Sequence, residues 1–248
     1  MSRAAVETRR VSSGYVVDEA ALASARAGGD TAAVTATIGP AEGSMRLEQR
    51  VLRFAPGRSA PRGDPGRDDT MYVVAGRGRV ELDDGPHELE TDTSVFLAAG
   101  QTAVFENDGD QPLVLVSVLS PAGRGEARSL LVHLSERPEQ RADAKRTFRV
   151  LLDRDAGCPD LTQFVGVVEP FRAPDHSHPY DEVGYVLAGR GFAHLNGESI
   201  PIGPGSCFHL PPGIVHCIEN VGPDAMRILG VFHPSDSPAS RSYDAATA

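Results

Sequence analysis

The chain has 248 residues, 40% hydrophobic and 23% charged, an ordinary globular composition with enough apolar material for one large domain or two of about 110 residues. A formal net charge of −10 with no Lys/Arg-rich stretch to reverse it argues against nucleic acid or an anionic membrane surface as partner. The basic N-terminus MSRAAVETRRVSSGYVVDEA has no apolar stretch behind it, no run approaches the roughly 18 apolar residues of a membrane span, and Cys158, Cys207 and Cys217 form no CxxC pair or even-numbered framework. The chain therefore reads as a soluble, cytoplasmic protein with its cysteines reduced. The 26 glycines and 19 prolines fall between short runs rich in Val, Leu and Phe, the pattern of an all-β protein with many turns.

In chain order, residues 1–45 form an N-terminal arm of two open readings. Asp18-Glu19 before AALASARAGG is either a short helix, capped by the acid and ended by Gly28, or part of a structureless segment. From residue 46 to 135 come strand-like runs: MYVVAG, RVEL, SVFLAAG, AVFEN and LVLVSVLSP. Glu136 to Arg146, ERPEQRADAKR, is too polar to bury and reads as the link. From 147 to 240 a second set follows: GYVLAG, FAHL, SIPIG, CFHLPPG, HCIEN and RILGVFHP.

The two sets are copies. Asp68-Asp69-Thr70-Met71-Tyr72-Val73-Val74-Ala75-Gly76-Arg77-Gly78 lies against Asp181-Glu182-Val183-Gly184-Tyr185-Val186-Leu187-Ala188-Gly189-Arg190-Gly191 at an offset of 113. The register runs without a gap to Glu106-Asn107 against Glu219-Asn220, with 11 identities among the 39 pairs from 69 and 182 onward. A repeat of this length with short, evenly spaced strands predicts two tandem β-sandwiches or small barrels. Val80 and Leu82, matched by Ala193 and Leu195, should face inward, which places His194 on the outer face or the surface between domains.

The second copy carries the chemistry. His176-Ser177-His178 puts two imidazoles on one side of an extended segment, a spacing suited to chelating one ion, and Glu182 lies at the same parity if the strand runs on or turns locally. His216 follows a Pro211-Pro212-Gly213 turn that would return the next strand across the barrel. Read together, His-x-His-x3-Glu-x6-Gly at 176–189 and Gly-x5-Pro-x-Gly-x2-His-x3-Asn at 205–220 resemble the two signature motifs of the cupin superfamily, lacking only the leading glycine of the first.

That resemblance implies an all-β chain of two tandem double-stranded β-helix (jelly-roll) barrels, a bicupin. It also implies one divalent metal ion per chain, Fe(II), Mn(II), Ni(II), Cu(II) or Zn(II) with Fe(II) preferred, held by His176, His178, Glu182 and His216. The first copy has Gly63 and Pro65 in place of the two histidines, Asp69 in place of Glu182 and Ala103 in place of His216, so it should be a degenerate partner without metal. The implied function is a metal-dependent enzyme acting on a small organic molecule, most readily a dioxygenase-type oxidoreductase. The alternatives are a non-redox isomerase, hydrolase or decarboxylase, and a non-catalytic small-molecule-binding module; a homodimer is left open.

Further residues carry paired readings. Glu182 is also a candidate catalytic base, and Tyr180 either donates a phenolic proton or caps a loop toward solvent. Gly184, opposite Met71 in the repeat, either opens space beside the metal or marks a β-bulge. Asn220 should tie a turn, Cys217 should be core, and His209 with Cys207 either supports a ligand from behind or simply packs.

Overall fold

Runs of alternating Val, Leu and Phe extend into strands, and glycine turns them back. Gly76 and Gly189 open the same Gly-Arg-Gly turn in the two copies with φ of 86° and 88°. A side chain there would meet Pro112 O at 2.6 Å or Met226 Cα at 2.7 Å, so the turn needs glycine for both conformation and space. The computed structural model describes residues 9–11, 14–123 and 128–240. Among these the helices are three single 3-10 turns, Glu19–Ala21, Pro40–Glu42 and Leu134–Glu136, and none is long and apolar enough to cross a membrane.

Each copy folds as two facing antiparallel sheets, the jelly-roll expected. In the second, Phe171–Arg172, His216–Asn220, Gly191–Leu195 and Glu198–Ile202 make the smaller sheet. The larger contains, in order, Gly14–Asp18, Ser206–Leu210, Asp181–Ala188, Met226–His233, Thr162–Val168 and Arg146–Leu152. The first copy repeats the plan, with Gly57–Arg58, Val104–Asn107, Gly78–Leu82 and Gly85–Leu89 facing a sheet of Leu130–His133, Thr93–Leu97, Arg67–Ala75, Leu113–Pro121, Glu48–Phe54 and Ala32–Ile38.

Period-2 alternation in the larger sheets feeds two cores at once. Val186 and Phe208 point into the second barrel with Ala193 and Leu195, and Val73 and Val95 point into the first with Val80 and Leu82. The residues between them, including Val183, Tyr185, Cys207, Tyr72, Val116 and Leu229, meet in a third core where the larger sheets pack together. His194 takes the opposite face to Ala193 and Leu195, where it is buried and bonds Ser199 Oγ and Glu219 Oε2, each at 2.8 Å.

The segments that lead into the barrels are exchanged. Gly14–Asp18 precedes the first barrel in the chain but pairs with Ser206–Leu210 of the second. Leu130–His133 precedes the second barrel but pairs with Thr93–Leu97 of the first. Each is followed by a 3-10 turn capped by its last residue: Asp18 accepts from Ala20 N–H, and His133 accepts from Ser135 N–H. Residues 14–45 are therefore structured, and the acid cap at Asp18 holds a single turn rather than a helix reaching Gly28. Residues 1–8 and 12–13 of the expected arm lie outside the described residues. The polar link is also shorter than its composition suggested. Gln140–Arg141 pairs with Phe148 and Thr147, and Arg146 heads a strand with its side chain largely covered.

Candidate metal centre

His176 and His216 are drawn together by a two-way backbone bridge, His176 N–H to His216 O at 3.0 Å and His216 N–H to His176 O at 2.8 Å. The turn before His216 is built as its prolines and glycine predict: Gly213 has φ of 81° and donates to His178 O at 2.9 Å, tying the turn to the other histidine segment. The strand does not run from the histidines to Glu182. It begins only at Asp181, and a bend at 179–180 swings Glu182 back until its Oε2 lies 2.9 Å from His178 Nε2. All four side chains line one cavity of about 110 Å³, with ring centroids of His176 and His178 4.4 and 4.8 Å from that of His216.

The tautomers are fixed by the backbone. Nδ1 of His176, His178 and His216 each lies 3.0 Å from a carbonyl oxygen, of Pro174, Tyr180 and Ile214 respectively. A carbonyl only accepts, so each Nδ1 carries the proton, and each neutral ring presents its Nε2 lone pair. For His178 that lone pair is buried, makes no hydrogen bond of acceptable geometry, and faces a carboxylate oxygen. Two acceptors at 2.9 Å require a cation between or beside them, either a proton or a metal ion. Among the described residues no three such side chains are already closed about a common point; the fit lies in tautomer, charge and the orphaned nitrogen. A divalent ion bound there would be held by His176, His178, Glu182 and His216.

Burial holds His176 and His216 unprotonated, His216 down to about 3. Burial works the same way on His178, but the contacts with Glu182 outweigh it and raise its proton affinity. Tyr180 is buried, which overturns the solvent-facing cap. Its ring stacks between those of His178 and Phe232 at 4.0 and 4.1 Å, so it fixes the plane of a candidate ligand, and burial keeps the phenol protonated.

The space vacated at Gly184 is not open. Gly184 pairs with Phe208 on one side and Gly230 on the other, and Gly230 pairs with Phe164. The Phe208 ring lies where a Gly184 side chain would be, at 2.0 Å, and the Phe164 ring lies over Gly230 at 2.3 Å. Two glycines thus seat two phenylalanines as a cavity wall. Asn220 ties its turn by donating to Val168 O and Asp224 O at 2.8 and 2.9 Å, and Cys217 is buried. His209 and Cys207 face the first barrel; His209 Nε2 bonds Asp181 Oδ1 at 2.6 Å and supports no candidate ligand.

The first barrel differs from the sequence register in one place. The bridge that joins His176 to His216 joins Arg62 to Ala103, so Arg62 and not Gly63 stands opposite Ala103. Asp69, the counterpart of Glu182, is held by Arg50 Nη2 at 3.0 Å and Ser117 Oγ at 2.7 Å, so a guanidinium neutralises the buried carboxylate. The residues that sequence reasoning missed are Arg146, Phe164 and Phe208. Their signal was parity within strands, which separates the cavity from the outside once the strands are paired.

Comparison with known proteins agrees with this architecture. The cupin domain model matches residues 50–119 and 165–232, more than half of the chain. An uncharacterized protein of Methanocaldococcus jannaschii is 35% identical over 60 residues, 24% of this chain and 48% of that one, and the chain spans about half the length of the curated relatives it matches. Among solved structures, protein Ylba from E. coli superposes with a TM-score of 0.80 at 13% identity, covering 94% of this chain and 97% of that one. Bacillus subtilis oxalate decarboxylase superposes at 0.71 with 12% identity, covering 88% and 76%. At such identities the structures speak for the fold alone. The two domain matches and the paired jelly-rolls place the chain in the cupin family, as a protein with two cupin domains in tandem.

Proposed function

We propose that the second barrel is a mononuclear metal site and that the chain is a metal-dependent enzyme acting on a small organic molecule, most readily by dioxygenase-type oxidation. The observation that carries this reading is the common tautomer of His176, His178 and His216: three backbone carbonyls take the Nδ1 protons and leave three Nε2 lone pairs on rings that line one cavity with the Glu182 carboxylate. A bound divalent ion would supply Lewis acidity or, if redox-active, electron transfer. The chain's part is to hold His176 and His216 deprotonated, to offer an apolar wall of Phe164, Phe208 and Ile228, and to keep the Tyr180 phenol protonated nearby. Among the described residues the cavity walls include no carboxylate or imidazole beyond the four candidate ligands, which favours chemistry centred on the ion over proton shuttling by a separate base.

A second reading is non-redox, a decarboxylase or isomerase. It is favoured by the 2.9 Å approach of His178 to Glu182, across which a proton can pass, and by the likeness in fold to oxalate decarboxylase. Metal analysis of protein purified without oxygen tests the shared claim: one ion per chain is expected, with most of it lost in His176→Ala. Oxygen uptake with phenolic or diketone substrates after Fe(II) loading then separates the readings. Consumption supports the dioxygenase reading, while turnover without it supports the second.

A further inference from the structure

We infer that Arg146 anchors an anionic group of the substrate, which makes the substrate a small organic acid with an apolar body. This rests on the second barrel being the binding site for a small molecule. Arg146 lines the same cavity as the candidate ligands, at the head of Arg146–Leu152, and its side chain is only 14% exposed. Covering a guanidinium is costly unless it is paired and its donors are used. Its one counter-ion in the described structure is Asp143, outside the cavity walls, which accepts from Nε at 2.8 Å. Nη2 lies 2.8 Å from the same oxygen yet is buried and makes no hydrogen bond of its own. A planar fork whose Nε and Nη2 share a single carboxylate oxygen is only half used, and such a guanidinium can take a second carboxylate.

The charge of the cavity points the same way. Among the described residues Glu182 is the only carboxylate in its walls, set against Arg146 and, on the reading above, a divalent ion. An entering anion completes this balance, while Phe148, Phe164 and Phe208 offer its carbon skeleton an apolar wall. The first copy supplies a control. Ala32 pairs with Phe54 as Arg146 pairs with Val168, so the strand position that carries the arginine in the ligand-bearing barrel carries a buried alanine in the barrel that lacks the ligand set.

The test measures binding of benzoate and butyrate against their neutral amides, by calorimetry or ligand-observed NMR, on the full chain as purified. The acids are expected to bind at least about tenfold tighter than the amides, a difference of about 1.4 kcal/mol. Arg146→Gln should abolish that preference with melting temperature and metal content unchanged, Arg146→Lys should keep part of it, and Asp143→Asn should strengthen it. If the acids show no preference at millimolar concentration, or if the preference survives Arg146→Gln, the inference is overturned. Acid binding that vanishes on chelation but persists in Arg146→Gln places the carboxylate on the metal, which overturns the anchor and leaves the metal reading standing. An Arg146-dependent preference in protein that holds no metal does the reverse. Where Arg146→Gln melts early, the Lys and Asp143→Asn variants decide.

Discussion

Arg50 holds Asp69 at 3.0 Å in the first barrel, where the second barrel sets Glu182 beside His178. Both copies carry a carboxylate at this position; in the first its counter-charge is a side chain, whereas the second sets it in a site fit for a metal ion. Removing that side chain leaves Asp69 buried with Ser117 as its remaining hydrogen-bond partner among the described residues. Arg50→Met is expected to cost about 2–3 kcal/mol, below the 3–5 typical of a fully buried pair because Arg50 is more than a quarter exposed. Burial already raises the proton affinity of Asp69, so the loss should be smaller near pH 4 than at pH 7, where the uncompensated carboxylate is charged. Denaturant titration at both values checks this, and Arg50→Met with Asp69→Leu should recover most of the stability.

Metal affinity of the second barrel should fall as the solution is acidified. His178 takes a proton more readily than a free imidazole because Glu182 stands beside it, and that proton competes with the ion for Nε2. Affinity is expected to drop about tenfold per unit once pH passes below the raised proton affinity of His178. Glu182→Gln should move the onset to lower pH while weakening affinity overall. Competition with a chromophoric chelator from pH 8 to 5 measures both.

The candidate ligands were legible because a short-range motif names them: two histidines two apart, a carboxylate four further on, and a histidine behind a Pro-Pro-Gly turn. The repeat was legible for a like reason, since its Gly-Arg-Gly turn and its Asn107 and Asn220 ties depend on particular side chains. What escaped depends on pairing over long distances. Nothing local to Gly14–Asp18 says that its partner is Ser206–Leu210, nor does Arg146 announce that it lies inside. Arg146 closes a run of charged residues that composition assigns to solvent, and only its parity with Phe148, once the strand is paired, turns it inward. Gly184 misled because an absent side chain reads as empty space, whereas its neighbour across the sheet fills it.

Gly184→Ala and Gly230→Ala should each push a phenylalanine into the cavity. The added methyl would sit 2.0 Å from the Phe208 ring or 2.3 Å from the Phe164 ring, contacts that only a move of the ring relieves. Overpacking of this kind costs about 1–3 kcal/mol and should weaken binding of any ligand that uses the wall. Gly184→Ala combined with Phe208→Leu should regain stability; thermal melts of the single and double variants, with benzoate as ligand, decide it.

The exchanged strands make the second barrel depend on residues far from it in sequence. Val16 is fully buried in the core of the second barrel, on the strand beside Ser206–Leu210, while Tyr15 and Val17 face the core between the barrels. Val16→Asp places an unpaired charge there at an expected cost of about 3 kcal/mol or more, from lost apolar burial and uncompensated desolvation. Because Val16 pairs with Phe208, the disturbance passes directly to the cavity wall, and metal content should fall although His176 lies 160 positions further along the chain. Removing residues 1–18 should expose Ser206–Leu210 as an unprotected sheet edge and promote association of the chain with itself. Light scattering and metal analysis of the truncated protein test this dependence, and a synthetic peptide spanning residues 9–21, added in excess, should reverse the association and restore the metal together.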